Sequence, residues 1–281
     1  MIFPIPIRDE NPTQRVPFVN YGLITVNIVV FLYTWPSIMG GAWWLVPGYG
    51  LVPTRLMADP LGEAFTVLTS MFMHGGWSHL IGNMLFLHIF GDNLEDAMGH
   101  GRYLGFYLLC GAAAAALQVG MDLDSPIAMV GASGAIFGVM AGYLLLYPKA
   151  PIVTLNLTIL VFFIGLFPVF PAWLIAAEYL LITLVEVLSA SSTDEGGVAV
   201  FAHLGGFVGG LILTRLFLGR KAPPPRRWHG FSRLVPESTA ITTTTTSTGV
   251  GAAGTARWRR RRRRPNAEEE GDDGDDGGDR G

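Results

Sequence analysis

Cys110 is the only cysteine in the 281-residue chain, so no disulfide and no cysteine-based metal site can form within it. Its apolar surroundings would keep the thiol protonated and inert. Charge is scarce as well, at 15% of residues against 50% hydrophobic, and the mean hydropathy is +0.41. A soluble domain has a different balance. There is no HExxH helix, so His74, His79 and His88 do not make a metalloprotease signature, and no metal or cofactor is expected. Nothing in the charge pattern points to nucleic acid. The opening 20 residues carry Arg8, Asp9, Glu10 and Arg15, too much charge for a signal-peptide core, so the first apolar run is expected to be retained.

What the chain has instead is long apolar runs. A hydrocarbon core about 30 Å thick takes roughly 20 residues per helix. Runs 23–38, 103–119, 127–147 and 198–218 approach that length, and 72–90 does so while carrying three histidines and an asparagine. The run 152–190 is longer, and Pro168 and Pro171 break any single helix within it. Ser133 and His203 each stand near the start of a run, and those starts share a membrane face only if the intervening chain crosses an odd number of times. The fifth span is therefore placed at 171–189, and 152–170 is expected to be a hydrophobic hairpin or re-entrant segment, against protein or in the interface.

The result is an all-α polytopic membrane protein with a six-transmembrane-helix bundle at 21–220, a cytoplasmic segment at 1–20 and a disordered cytoplasmic tail at 221–281. The tail runs through Pro223–225, a threonine tract, the arginines 259–264 and an acidic glycine-rich end, a composition unable to offset its ordering entropy. Its arginine run would meet anionic lipid or be a solvated linker. With both termini in the cytoplasm, Arg8, Arg15, Arg102, Lys149, Arg215, Arg220 and Lys221 lie inside. Asp59, Glu63, Asp122, Asp124, Asp194 and Glu195 lie outside, together with Arg55, in keeping with the positive-inside rule. The loop 40–77, with Trp43, Trp44 and Trp77, is expected to sit partly in the headgroup layer.

Polar residues inside lipid ask for a reason. Ser133 lies in VGASGAIFG where a glycine-rich loop becomes a helix, so its neighbouring amides would be free donors at the positive end of a helix dipole. Of the six histidines, His203 is the best placed base, in the first turn of the last span. Gly206 and Gly210 follow it on one face, and the fourth span answers with Gly134, Gly138 and Gly142 at i+4 spacing. Such stripes let helix backbones approach closely. His79 and Asn83, four residues apart, share a face of the second span and would supply donors to an oxyanion, or else act as interhelical glue. An aspartyl protease would need two facing carboxylates; Asp92, Glu178 and Glu186 do not form such a pair in the pattern. A proton-coupled transporter would leave the serine, the histidine and the glycine stripes unexplained.

Together these motifs resemble the rhomboid family of intramembrane serine proteases. Gly131-Ala132-Ser133-Gly134 matches the family's GxSG, His203 with Gly206 and Gly210 matches HxxGxxxG, and His79 with Asn83 matches HxxxN, over roughly residues 15–220. The resemblance implies a Ser133–His203 dyad and an oxyanion site of His79, Asn83 and the Ser133 amide. It places Phe137 against the histidine, and gives Glu95 and Gly99 a scaffolding role. It further implies membrane-protein substrates with single or multiple spans, cut near the outer face. The Ser/Gly-rich composition of 189–198 suits a movable lid, and the protein is expected in the cell (plasma) membrane. The alternative is a catalytically inactive rhomboid-like protein that binds membrane helices as a chaperone or quality-control module. No Trp-Arg pair occurs in the loop 40–77, where some members have one.

Overall fold

A computed structural model of the chain describes residues 4–42, 44–189 and 200–218. Trp43, most of the expected lid loop and the whole expected tail lie outside the described residues. A short strand β1 (Ile5–Asp9) precedes α1 (Phe18–Met39). The loop 40–77 is folded into α2 (Leu45–Tyr49), α3 (Pro53–Ala58), α4 (Pro60–Glu63), α5 (Thr66–Thr69) and a 3-10 turn at Ser70–Phe72. Then come α6 (Trp77–Met98), α7 (His100–Met121) and α8 (Ser133–Leu146). A hairpin of β2 (Pro151–Leu155), α9 (Val161–Ile164) and β3 (Val169–Pro171) leads to α10 (Ala172–Ser189) and α11 (Val200–Phe217).

Among the described residues six helices of 14 to 22 residues overlap the six apolar runs, with boundaries that hydropathy had blurred. Among the described residues three are long and apolar enough to cross a membrane: α1, α7 and α11. The helix α6 carries the polar residues of the site, and α8 has only 14 residues. It starts at Ser133 rather than near 127, because Met129 bridges to Leu51 and Gly131 takes a positive φ, and it stops before Pro148, which disfavours helix in the preceding residue. The stretch 152–170, expected to be a hydrophobic hairpin or a re-entrant segment, lies in a β-hairpin of β2 and β3. The strand β1 was not anticipated; it adds antiparallel to β2 to give a sheet of order β1-β2-β3.

Packing is closest where α11 lies between α7 and α8. A Cβ on Gly206 would overlap the carbonyl oxygen of Gly134, and one on Gly210 the carbonyl oxygen of Gly138. A second pair faces the other way: a Cβ on Gly205 would fall 2.8 Å from the Ala113 oxygen, and one on Gly209 2.8 Å from the Ala113 Cβ. The polyalanine segment 112–116 of α7 is the counterpart of that second stripe. Gln118 Oε1 accepts the Ala202 amide at 3.0 Å, so α7 also caps the start of α11.

At the other end of the bundle, polar side chains hold the pieces. The N-cap of α1 is Pro17, which has no side-chain cap. Buried Glu95 of α6 takes that place, accepting from the amides of Val19 at 3.0 Å and Asn20 at 2.7 Å, an anion at a helix N-terminus. Asn20 Nδ2 donates to the Leu87 carbonyl, and Tyr103 Oη donates to Asn20 Oδ1 at 2.8 Å. Asp9, ending β1, accepts from Asn93 Nδ2 at 2.7 Å and Tyr143 Oη at 2.9 Å. Burial, reinforced by the charge of Asp92, raises the Asp9 carboxyl from 3.8 to about 7.

Two outcomes are expected. Gly206→Ala destabilises the fold by about 1–3 kcal/mol through overpacking, whereas Gly82→Ala, with nothing within 4 Å of its added carbon, leaves it unchanged; denaturant unfolding in micelles measures both. Because folded Asp9 binds its proton more tightly than the unfolded chain, its effect is a loss of stability as pH rises from about 4 to about 7. Melting curves across that window show a flatter dependence for Asp9→Asn than for the natural chain.

Candidate active site

The loop before α8 is positioned by the chain that precedes α6. Leu51 and Met129 form an isolated antiparallel bridge, and the Gly131 amide donates to the Ser70 carbonyl at 2.8 Å. Gly131 has φ +127, a conformation L side chains rarely adopt, and a Cβ there would sit 2.7 Å from Cε1 and Nε2 of His79. Glycine is therefore required twice over, by backbone and by space. The helix begins directly after this turn. Its first carbonyl acceptor is Ala132, bonded by Ile136 N–H at 3.0 Å, so the amides of Ser133, Gly134 and Ala135 precede the first intrahelical bond.

Ser133 Oγ and His203 Nε2 lie 2.8 Å apart in hydrogen-bonding geometry. The contact follows from the glycine packing, because Gly134 and Gly206 are the adjacent layer of the same helix pair. Phe137, one turn after the serine, stacks on the imidazole with centroids 4.4 Å apart and planes 6° from parallel. Stacking and burial together restrict the plane of the ring. His203 Nδ1 is buried and has no hydrogen-bond partner among the described residues, so none of their carboxylates bonds to it. With the proton on Nδ1, Nε2 is the acceptor for the serine hydroxyl.

The other two expected site residues are near but differently engaged. His79 lies beside Gly131, its ring 5.1 Å from that of His74 in an edge-to-face arrangement. Asn83 is buried and its Nδ2 donates to His74 Nε2 at 3.0 Å; among the described residues no hydrogen bond joins it to Ser133. His74 thus belongs to the site as the partner of Asn83, which its position in the sequence, in the loop ahead of α6, did not reveal. His88, grouped with His74 and His79 in the sequence, instead lines a cavity of about 410 Å³ at the far end of the bundle with Arg8, Asp9 and Asp92. Among the described residues no group of three or more histidines, cysteines or carboxylates is arranged to hold a metal. Beside the serine is a small cavity of about 20 Å³, lined by Gly131, Ser133, Gly134 and Ala202, enough for a single water.

The Rhomboid domain model matches residues 61–220, more than half of the chain. The Bacillus subtilis (strain 168) protein named "Putative rhomboid protease YdcA" is 28% identical over 223 residues, covering 76% of this chain and 97% of that protein. "Rhomboid protease GluP" from the same strain is 29% identical over 201 residues, 70% of this chain and 34% of that protein. "Rhomboid protein 1, mitochondrial" of Saccharomyces cerevisiae is 30% identical over 137 residues, 47% of this chain and 37% of that protein. The chain therefore spans nearly all of the first relative and about a third of the other two.

The His74–Asn83 contact has a measurable consequence. His74→Ala strands a buried amide and lowers unfolding stability by about 1–3 kcal/mol; His74→Gln, which keeps an acceptor, recovers part of it. Equal losses for the two variants in denaturant titrations would mean that the acceptor does nothing.

Proposed function

The chain belongs to the rhomboid family, and from that membership and the geometry around Ser133 we propose that it is an intramembrane serine endopeptidase. The observation that carries this reading is the 2.8 Å approach of Ser133 Oγ to His203 Nε2 at the start of a buried helix. A segment of a membrane-protein substrate enters the bundle and unwinds, since a helix hides its carbonyls. Ser133 Oγ bonds to the exposed carbonyl carbon as its proton passes to His203 Nε2. The oxyanion develops beside the first-turn amides of α8, which point along the positive end of the helix dipole. His79 and a re-aimed Asn83 add donors from α6. The C–N bond then breaks as His203 returns the proton to the leaving nitrogen. Water, deprotonated by His203, releases the acyl group and restores the serine. Phe137 holds the imidazole for both proton transfers.

All six long helices cross the bilayer in this reading, with the dyad near the outer face. The two termini, along with Arg8, Arg15, Arg102 and Lys149, lie on the cytoplasmic side of the cell membrane.

Purified protein in liposomes is expected to cleave a single-span substrate, and Ser133→Ala or His203→Ala to abolish cleavage while both variants remain inserted and folded. A fluorophosphonate probe labels the natural chain and not Ser133→Ala; absence of labelling and cleavage in the natural chain would instead identify a helix-binding relative without activity. Asn83→Ala is expected to lower turnover by up to about two orders of magnitude, the scale of one oxyanion donor.

A further inference from the structure

The hairpin between α8 and α10 is not used by the reaction, and its chemistry is unlike a surface turn. From Lys149 to Glu178 the chain carries no charged residue between those two. Its apolar side chains face outward: Leu157 is 72% exposed, Ile159 75%, Phe162 83% and Phe163 81%. Its polar groups face inward. Asn156 is fully buried, its Oδ1 accepting from the Thr158 amide at 3.1 Å and Thr158 Oγ1 at 2.7 Å. Asn156 Nδ2 donates to the Gly165 carbonyl at 3.2 Å, and the Asn156 amide to Leu166 at 2.9 Å. Thr158 Oγ1 in turn accepts from the Leu160 amide at 3.2 Å. A turn that closes its own hydrogen bonds and displays leucine, isoleucine and phenylalanine is built for a medium without water.

Its attachment says where that medium is. The base of the hairpin is closed where the first residues of α10 bond to the turn that follows α8, the Ala172 amide to Ala150 at 2.9 Å and the Trp173 amide to Pro148 at 3.0 Å. It leaves the end of α8 opposite to Ser133, about 21 Å away along a 14-residue helix. The helix that follows continues the same surface, with Trp173, Leu181, Leu184 and Val185 exposed. Half-exposed Trp173 at its first turn is the residue type of a membrane–water boundary. Since both ends of the hairpin are tethered to a membrane protein, its tip meets lipid at high effective concentration.

We propose that the tip 157–167 inserts into the bilayer leaflet on the side away from the dyad, as a monotopic anchor beside the bundle. The inference rests on the chain being a membrane protein of this family and is independent of whether it cleaves anything. The test places a nitroxide at Phe163→Cys, Ile159→Cys or, as a water-facing reference at the same end, Gln14→Cys. All are made in the full chain with Cys110→Ala, in phosphatidylcholine–phosphatidylglycerol liposomes. Collision rates with oxygen and with a water-soluble nickel chelate are compared. An oxygen-to-nickel ratio at 159 and 163 about tenfold or more above that at 14 is the expected result. A ratio equal to that at 14 overturns the proposal, as does spin–spin broadening at 163 that persists on dilution with unlabelled lipid but vanishes on mixing with unlabelled protein, which would assign the tip to a second copy of the chain. Unfolding midpoints of the labelled proteins matching the parent show that the readings come from the native fold. Because no substrate is involved, failure here and failure of the proteolytic reading are separable.

Discussion

The distance between the backbones of α8 and α11 governs this molecule. Two carbonyl oxygens, those of Gly134 and Gly138, occupy the space where side chains would stand on Gly206 and Gly210. In lipid, where burying apolar surface gains little between helices, such contact is what dispersion and close packing can use. It also sets the register that puts Ser133 and His203 within 2.8 Å. On its other face α11 repeats the device against the alanines of α7, so it is gripped from two sides.

The two ends of the bundle are fixed by different physics. At the Ser133 end the restraints are mostly steric and backbone-based: a glycine with positive φ, an isolated bridge, and a glutamine capping a helix. At the far end they are polar and side-chain-based. Glu95 caps α1, Asn20 and Tyr103 share a bond, and Asp9 is held by Asn93 and Tyr143. The raised Asp9 carboxyl makes that end the one whose stability depends on pH.

The helices carrying the two motifs could be read from the sequence because both motifs sit at helix starts and both glycine stripes keep i+4 spacing. The second stripe, Gly205 and Gly209, was hidden because its partner is a run of five alanines, which has no period of its own. Hydropathy started the fourth span near 127, since it cannot distinguish an extended apolar loop from a helix; the break at 131 is a backbone event. Helical phase puts Asn83 on one face with His79, but phase gives a face and not a neighbour, and its hydrogen-bond partner His74 lies outside the helix that sets it. Strand β1 was invisible for another reason. IPIRD has weak strand character with Pro6 at an edge, and it forms a strand only because β2, far along the chain, offers an edge to pair with.

That last pairing bears on how the protein is made. Ile5 pairs with Leu155 and Asp9 with Ile152, so β1 has no partner until the four long helices α1, α6, α7 and α8 and the first arm of the hairpin have left the ribosome. At about 5–20 residues per second, that is a wait of roughly 7–30 seconds with an unsatisfied edge. Closure of this small sheet is then a late step of biogenesis, reporting that the first two-thirds of the bundle have been inserted in order.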